Sequence, residues 1–344
     1  MENKHGVLVL AELRGQVIHP VTFEMLAWGR RLADELEVSL DCAVLGMATK
    51  LNELIWQGAD RVFTKSSGSP GYFLATPAAA LFVELIRELE PSIVIAPATT
   101  FGRTLMPIAA ARLATGLTAD CTELAIDPKD KLLLQTRPAI GGNVMATIKT
   151  PSTRPQMATV RPRSIKPLQR DESRNGEIIR QAGANREDAW PERFVAFLRD
   201  DSSDINLENA EIVVVGGKGM RTKENYRLLE ELAGVLGAGL GATRVAVEAG
   251  WAPFSRQIGL TGKTVAPKVY IGAGVSGKIQ HLAGMITSEI IVAINEDPNA
   301  QLLKVADLGI LGDAPTFVAE LTRLLGEFKK GQEGGELTHV GGKI

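Results

Sequence analysis

Gly272, Gly274 and Gly277 stand in a G-x-G-x-x-G spacing inside VYIGAGVSGKIQHLAGM, between a β-branched run and a helix-period segment. That spacing suits a phosphate-bearing cofactor. Glycines let backbone N–H groups approach a pyrophosphate, and the positive end of a following helix stabilises its charge. Glu296 and Asp297 follow about twenty residues on, as in a dinucleotide-binding unit. A second glycine turn, Gly216-Gly217-Lys218-Gly219, carries a lysine that can meet a phosphate as a point charge. The competing readings are a lysine facing water and tight strand–helix turns with no ligand. His281 falls just inside the helix expected after the GAGVSG turn, and Arg244 follows Gly241-Ala242-Thr243 at the start of an expected strand, where an exposed ion pair is the alternative. Ser276, Thr261, Asn295 and Asp307 fall at strand ends or turns, where short polar residues also cap helices. There is no nucleophile–base–acid grouping, no H-E-x-x-H, no Walker lysine and no paired histidine set. A cofactor must therefore carry the chemistry.

Both turns need strands to end at them and helices to leave them. In the second half the pattern predicts strands over Glu211–Val215, Lys268–Ile271, Ile290–Ile294 and near Ala306–Leu311. Helices are predicted over Lys223–Leu236, Ile279–Met285 and near Pro315–Phe328. This is a doubly wound parallel sheet, with its ligand crevice at the carboxyl ends of the strands. The first half alternates in the same way, through Val7–Ala11, Phe23–Leu36, Leu40–Leu45, Leu51–Gln57, Arg61–Thr64, Ala78–Leu89, Ile93–Ala96 and Arg103–Ala114. A parallel α/β domain is expected, with Gly116 as the left-handed cap of its last helix.

From Leu132 to Val160 the segments LLLQT, NVMATIKT and QMATV are separated by prolines and glycines and read as an appended antiparallel strand set. Arg161 to Asp204 is polar and reads as a connector with a short amphipathic piece at Phe194–Leu198. The expected organisation is an N-terminal domain with connector over 1–203, a second α/β domain over 204–330 and a mobile tail over 331–344.

With 344 residues, 45% hydrophobic and 23% charged, the chain is long enough for two cores. A net charge of −2 supplies no field for nucleic acid or an anionic membrane, and the most basic stretch, Arg154 to Arg174, has no aromatic side chain for base stacking. Cys42 and Cys121 stand in unrelated contexts, which excludes a disulfide framework and a cysteine-ligated iron–sulfur cluster. No signal peptide or membrane span is expected, and a reducing bacterial cytoplasm is.

The segments VVVGGKGM, GATRVAV, RQIGLTGK, VYIGAGVSGKIQHLAGM, IIVAINEDPNA and KVADLGI, in that order, resemble the FAD domain of electron transfer flavoprotein α subunits. The resemblance is dense from Ile212 to Leu325 and looser in the first domain, from GRTLMPIAAARLATGLTADCTELAID to RPQMATVRP. It implies one extended FAD lying along Ser276, Gly277, Lys278, Ile279, Gln280 and His281, with Lys218 nearby. Asn295, Asp307 and Leu308 would hold the adenosine half. Thr243, Arg244, Ile258, Gly259, Leu260 and Thr261 would approach the flavin ring, Thr261 near its N5 edge and His281 near its C2 carbonyl. There, donor or cationic groups would stabilise the negative charge that one-electron reduction places on the ring.

Lys218 stands where that family commonly has arginine and Leu260 where it commonly has glutamine, which leaves those contacts open. The resemblance further implies a heterodimer with a β subunit that packs on the first domain. Its redox partners would be acyl-CoA dehydrogenases on one side and, depending on subtype, a quinone oxidoreductase, ferredoxin or NADH on the other. GLTADCTELAID and LLQTRPAIGGN resemble bacterial members, some of which bifurcate electrons from NADH. Two other classes compete: a freestanding NAD-dependent dehydrogenase using the GAGVSG turn, and a nucleotide-binding module without redox change.

Overall fold

The structure, a computed structural model, describes residues 5–66, 73–139, 144–183, 192, 194–196, 207 and 210–333. The chain divides into two compact units, Met1–Leu198 and Arg199–Ile344. The boundary expected near Ser203 and the end of the amphipathic piece at Leu198 lie outside the described residues.

The N-terminal unit is built on seven parallel strands in the order Glu177–Ala182, Arg61–Ser66, Leu40–Leu45, Val7–Leu10, Ile93–Pro97, Gln156–Val160 and Leu117–Cys121. Strands buried on both faces must be apolar at successive positions, and the central ones are. Val7 and Val9 enter one core with Met25, Leu26 and Leu32 of the helix Val21–Leu36. Leu8 and Leu10 enter the other with Phe82 and Leu85 of the helix Ala75–Leu89 and Leu105 of the helix Thr100–Leu113. Each such side chain, fully buried, contributes roughly 1.5–3 kcal/mol.

Three expectations change here. Gln156–Val160 is not part of the antiparallel set: all five residues are buried, and the strand runs parallel beside Ile93–Pro97. The antiparallel sheet instead joins Met145–Ile148, Leu133–Pro138 and Glu123–Ile126. The connector is not structureless, since Glu177–Ala182 adds an edge strand to Arg61–Ser66. One flank of an edge strand stays open, so its polar sequence hides it from pattern reading. Finally, Ala114 and not Gly116 adopts the left-handed cap, with φ 51°.

In the C-terminal unit five parallel strands lie in the order Gly239–Ala242, Ile212–Gly216, Val269–Ala273, Ile290–Asn295 and Leu308–Leu311. Numbered along the unit this is 2-1-3-4-5, a doubly wound order that reverses between Ile212–Gly216 and Val269–Ala273. One face is covered by the helices Lys223–Leu236 and Ala314–Glu333, through Leu229, Leu232 and Val318 against Val214, Ile271 and Ile294. The other carries Val213, Val215 and Tyr270 under Ile258, Val265, Met285 and Leu302. On this second face the helices are single turns: Ile279–Leu282, shorter than the expected Ile279–Met285, and Gln301–Val305, which was not expected. The last helix is longer than expected and runs into the stretch read as a tail, of which 334–344 lie outside the described residues. No helix among the described residues is long and apolar enough to cross a membrane.

Candidate functional site

Strand order reverses between Ile212–Gly216 and Val269–Ala273, so their carboxyl ends diverge into the two glycine turns. The turns are bonded to each other, with the Gly217 amide donating to the Ala273 carbonyl at 3.0 Å and the Gly219 amide to the Gly274 carbonyl at 2.9 Å. Gly274 has φ +63°, and a β-carbon on it would lie 2.6 Å from the Gly219 Cα. Gly277 has φ +71°, and a β-carbon there would lie 2.3 Å from the Leu302 nitrogen. Both glycines are therefore required by close backbone packing, before any ligand is considered.

Past the turns lies a cavity of about 310 Å³. The predicted residues Lys218, Thr243, Arg244, Ile258, Gly259 and Leu260 line one part of it, and Thr261, Ser276, Gly277, Lys278, Gln280 and His281 the rest. Four segments distant in sequence thus converge. Val245, Gln257 and Val275 complete the wall without having been singled out in the sequence. Gln257 is buried, and its amide donates to the Thr261 hydroxyl at 3.0 Å, leaving that hydroxyl's own hydrogen free to point elsewhere.

Ile279, Asn295, Asp307 and Leu308 do not line the cavity. Asn295 is buried behind it, where its amide donates to the Val275 carbonyl at 2.9 Å and its oxygen accepts from the Asp297 amide at 3.0 Å. It holds the GAGVSG turn in place. Asp307 and Leu308 sit at the amino end of their strand, away from the turns, and the Asp307 carboxylate accepts from the Ile291 amide at 2.8 Å. At the carboxyl end stands a polar group unnoticed in the sequence: Arg221 pairs with Asp313, at 2.7 Å, and with Glu296. Glu296 is thereby an ion-pair partner at the mouth of the crevice.

The ring nitrogens of His281 are both engaged. Nδ1 is 3.1 Å from the Ile258 carbonyl, which can only accept, so the proton is on Nδ1. Nε2 is 2.7 Å from the Tyr270 hydroxyl and accepts from it. Burial pushes the imidazole down to about 4, against a small opposing effect of the Ile258 bond. In this arrangement both ring nitrogens are taken up by protein partners, whereas the resemblance implies a donor or cation at this position. Arg244 also differs from expectation: it opens the helix Arg244–Glu248 and pairs with Glu248 at 2.7 Å on an exposed surface, while still reaching the cavity wall.

The donor set suits an anionic cofactor. Lys218, Arg244 and Lys278 line the cavity and no carboxylate does among the described residues. The backbone N–H groups of Ser276, Gly277 and Lys278 donate to no protein acceptor among the described residues. The Thr243 hydroxyl is buried with no partner. Ser276 and Lys278 are exposed and Gly277 is buried, so these amides are open to a ligand from the solvent side, and together with the buried Thr243 hydroxyl they fit a phosphate-bearing one. The helix after the turn is too short to add much dipole, so free amides and lysines carry that fit. A smaller cavity in the N-terminal unit, about 80 Å³, is lined by Leu13, Leu45, Phe73 and Phe101 and by no charged group. No cluster of three or more His, Cys, Asp or Glu suited to a metal ion exists among the described residues.

Comparison with known proteins agrees with this geometry. Residues 7–185 match the electron transfer flavoprotein domain and residues 206–286 the electron transfer flavoprotein FAD-binding domain. The chain is 42% identical over 330 residues to the electron transfer flavoprotein subunit alpha of Thermoanaerobacterium thermosaccharolyticum, covering 94% of this chain and 100% of the relative. It is 41% identical over 334 residues to the protein of the same name in Megasphaera elsdenii, covering 96% and 97%. It is 41% identical over 330 residues to Protein FixB of Rhizobium meliloti, covering 94% and 93%. Near-complete coverage, two consecutive domain matches and a converged cavity lead to one conclusion: this chain belongs to the electron transfer flavoprotein α-subunit family.

Proposed function

We propose that this chain binds FAD in its C-terminal unit and, paired with a β subunit, carries electrons from acyl-CoA dehydrogenase-type flavoenzymes to a second redox partner. The supporting observation is a cavity at the switch point that has lysines, an arginine and unspent N–H donors in its wall and no carboxylate. FAD, when bound, supplies the electron-carrying chemistry. The amides of Ser276, Gly277 and Lys278 would hold the pyrophosphate, with Lys218 as a point charge. Thr243 and Thr261 would donate to polar edges of the ring, and Ile258, Gly259 and Leu260 would form its apolar bed. Asn295 keeps the turn in register through the Val275 carbonyl. The family membership supports the β subunit as partner, and two buried free thiols, Cys42 and Cys121, suit a reducing cytoplasm.

A freestanding NAD-dependent dehydrogenase would need a proton-transferring base at this wall. Among the described residues, the histidine at this wall has both nitrogens engaged and no carboxylate lines the cavity, which argues against it. The test is to co-purify the chain with its β-like partner and count flavins during stepwise reduction. One FAD held by the α subunit is the expected result. A second flavin reducible by NADH would extend the reading to electron bifurcation, and a colourless complex that takes up no FAD would overturn it.

A further inference from the structure

We infer that Tyr270 is a positioning residue that keeps His281 a neutral imidazole with its proton on Nδ1, so that His281 shapes the cavity wall without giving it a cation. The geometry is a directed chain of hydrogen bonds. Tyr270, fully buried in the strand Val269–Ala273, points its hydroxyl at Nε2 of His281, 2.7 Å away. Nδ1 of the same ring meets the Ile258 carbonyl at 3.1 Å. A carbonyl has no hydrogen to give, so Nδ1–H must donate. Nε2 then holds the remaining lone pair, and the Tyr270 O–H occupies it. Protonating His281 would turn Nε2 into a donor and require the Tyr270 hydroxyl to turn round inside a packed core.

The surroundings favour the neutral form as well. The charged groups that share the cavity with His281 are Lys218, Arg244 and Lys278, all cationic. From the loop it packs against come the Ile258 carbonyl, Gln257 and Thr261, and from the strand beneath it Tyr270. No carboxylate among the described residues lines the cavity to compensate an imidazolium. The chain has a mechanical consequence too. It ties the strand Val269–Ala273, through the single-turn helix Ile279–Leu282, to the loop that carries Leu260 and Thr261. Positive charge at this site would then come from the lysines and Arg244, with His281 as a rigid strut.

The inference rests on the FAD reading only for what the cavity holds, and its test separates the two. The complex of this chain with its β-like partner, carrying 15N-labelled histidine, is followed by imidazole 15N–1H correlation spectra across a pH series, flavin-loaded and flavin-depleted. The expected result is a single N–H on Nδ1 of His281 that persists well below pH 6.5, the ordinary histidine value. In Tyr270→Phe the protonation midpoint should rise by about one unit or more, a tenfold or larger change in the proton-binding constant. A proton on Nε2, a doubly protonated ring at neutral pH, or an unmoved midpoint in Tyr270→Phe would overturn it. Should that variant fail to fold, the tautomer in the unaltered protein still decides. Flavin absorbance, read on the same samples, reports separately on whether the cavity binds FAD.

Discussion

The Gly219 amide donates to the Gly274 carbonyl at 2.9 Å, so the turns ending two neighbouring strands are bonded backbone to backbone. Lys218 and residues of the segment 275–281, which line the cavity, leave from these two turns. Its glycines serve the approach of one turn to another as much as the approach of a ligand.

Gly274→Ala should therefore cost stability and flavin together. The new β-carbon would meet the Gly219 Cα at 2.6 Å and the Met220 nitrogen at 2.8 Å, with φ at +63°. A loss of roughly 2–4 kcal/mol in urea unfolding, with failure to retain FAD, is the expected outcome. Gly234→Ala is the control: it lies inside the helix Lys223–Leu236 with nothing within 4 Å of an added β-carbon. It should be neutral or stabilising by up to about 1 kcal/mol. Equal effects at both positions would mean that the turn contact is not required.

Thr243→Val should separate ligand binding from folding. The buried hydroxyl has no protein partner, so replacing it with a methyl group leaves the flavin-free protein as stable as before or slightly more so. FAD affinity should fall about tenfold, the loss of one hydrogen bond of roughly 1–1.5 kcal/mol. Flavin titration beside thermal unfolding checks both halves, and unchanged affinity would remove Thr243 from the site.

Leu260→Gln tests the apolar bed. Leu260 lies at the cavity wall yet is 68% exposed, so an amide can be placed there without burying it. A new donor facing the ring would favour its reduced, more negative form and raise the flavin potential by about 10–30 mV, the equivalent of one hydrogen bond. Spectroelectrochemical titration would show it. A potential that does not move would mean that this side chain points away from the ring.

Glu24 should set a pH dependence in the N-terminal unit. Burial raises its carboxyl from 4.5 to about 7, with Arg163 opposing, so the folded chain holds this proton more tightly than the unfolded chain. Its contribution is complete below about pH 4.5 and is lost as pH rises through about 7. His19 runs the other way: burial, and then Arg14, lower it from 6.5 to about 4, and its contribution is lost as pH falls through that window. The two offset in the unaltered protein. Glu24→Gln should thus gain on it by on the order of 1 kcal/mol between pH 4 and pH 8, and parallel stability curves would refute the assignment.

Much of the architecture was legible because periodicity reports burial directly. Leu40–Leu45 and Lys223–Leu236 were read with the boundaries the structure shows, the first as a short, mostly apolar run between two helix-period segments and the second by its apolar residues recurring at the helical period. Gln156–Val160 was misplaced because a strand buried on both faces has no alternation, and the prolines before it suggested a turn-rich sheet. Glu177–Ala182 was missed for the opposite reason: at an edge, half-exposed and polar, it forms because Arg61–Ser66 offers a free flank.

At the site, types and spacing of residues sufficed to name the two glycine turns and Lys218 in the first of them, because a tight strand–helix turn is a local property of the chain, while Lys278 and the placing of the loop around Thr261 at the site came from the family resemblance. They could not say which polar residues face inward. Asp307 and Asp313 look equivalent in sequence, but strand direction puts the first at the amino end and the second at the carboxyl end, six residues apart along one short strand and its flanks. His281 looks like a donor until Ile258 and Tyr270, 23 and 11 residues away, take up its two nitrogens. Local chemistry is written in sequence, whereas direction, burial and hydrogen-bond satisfaction are settled only when distant segments meet.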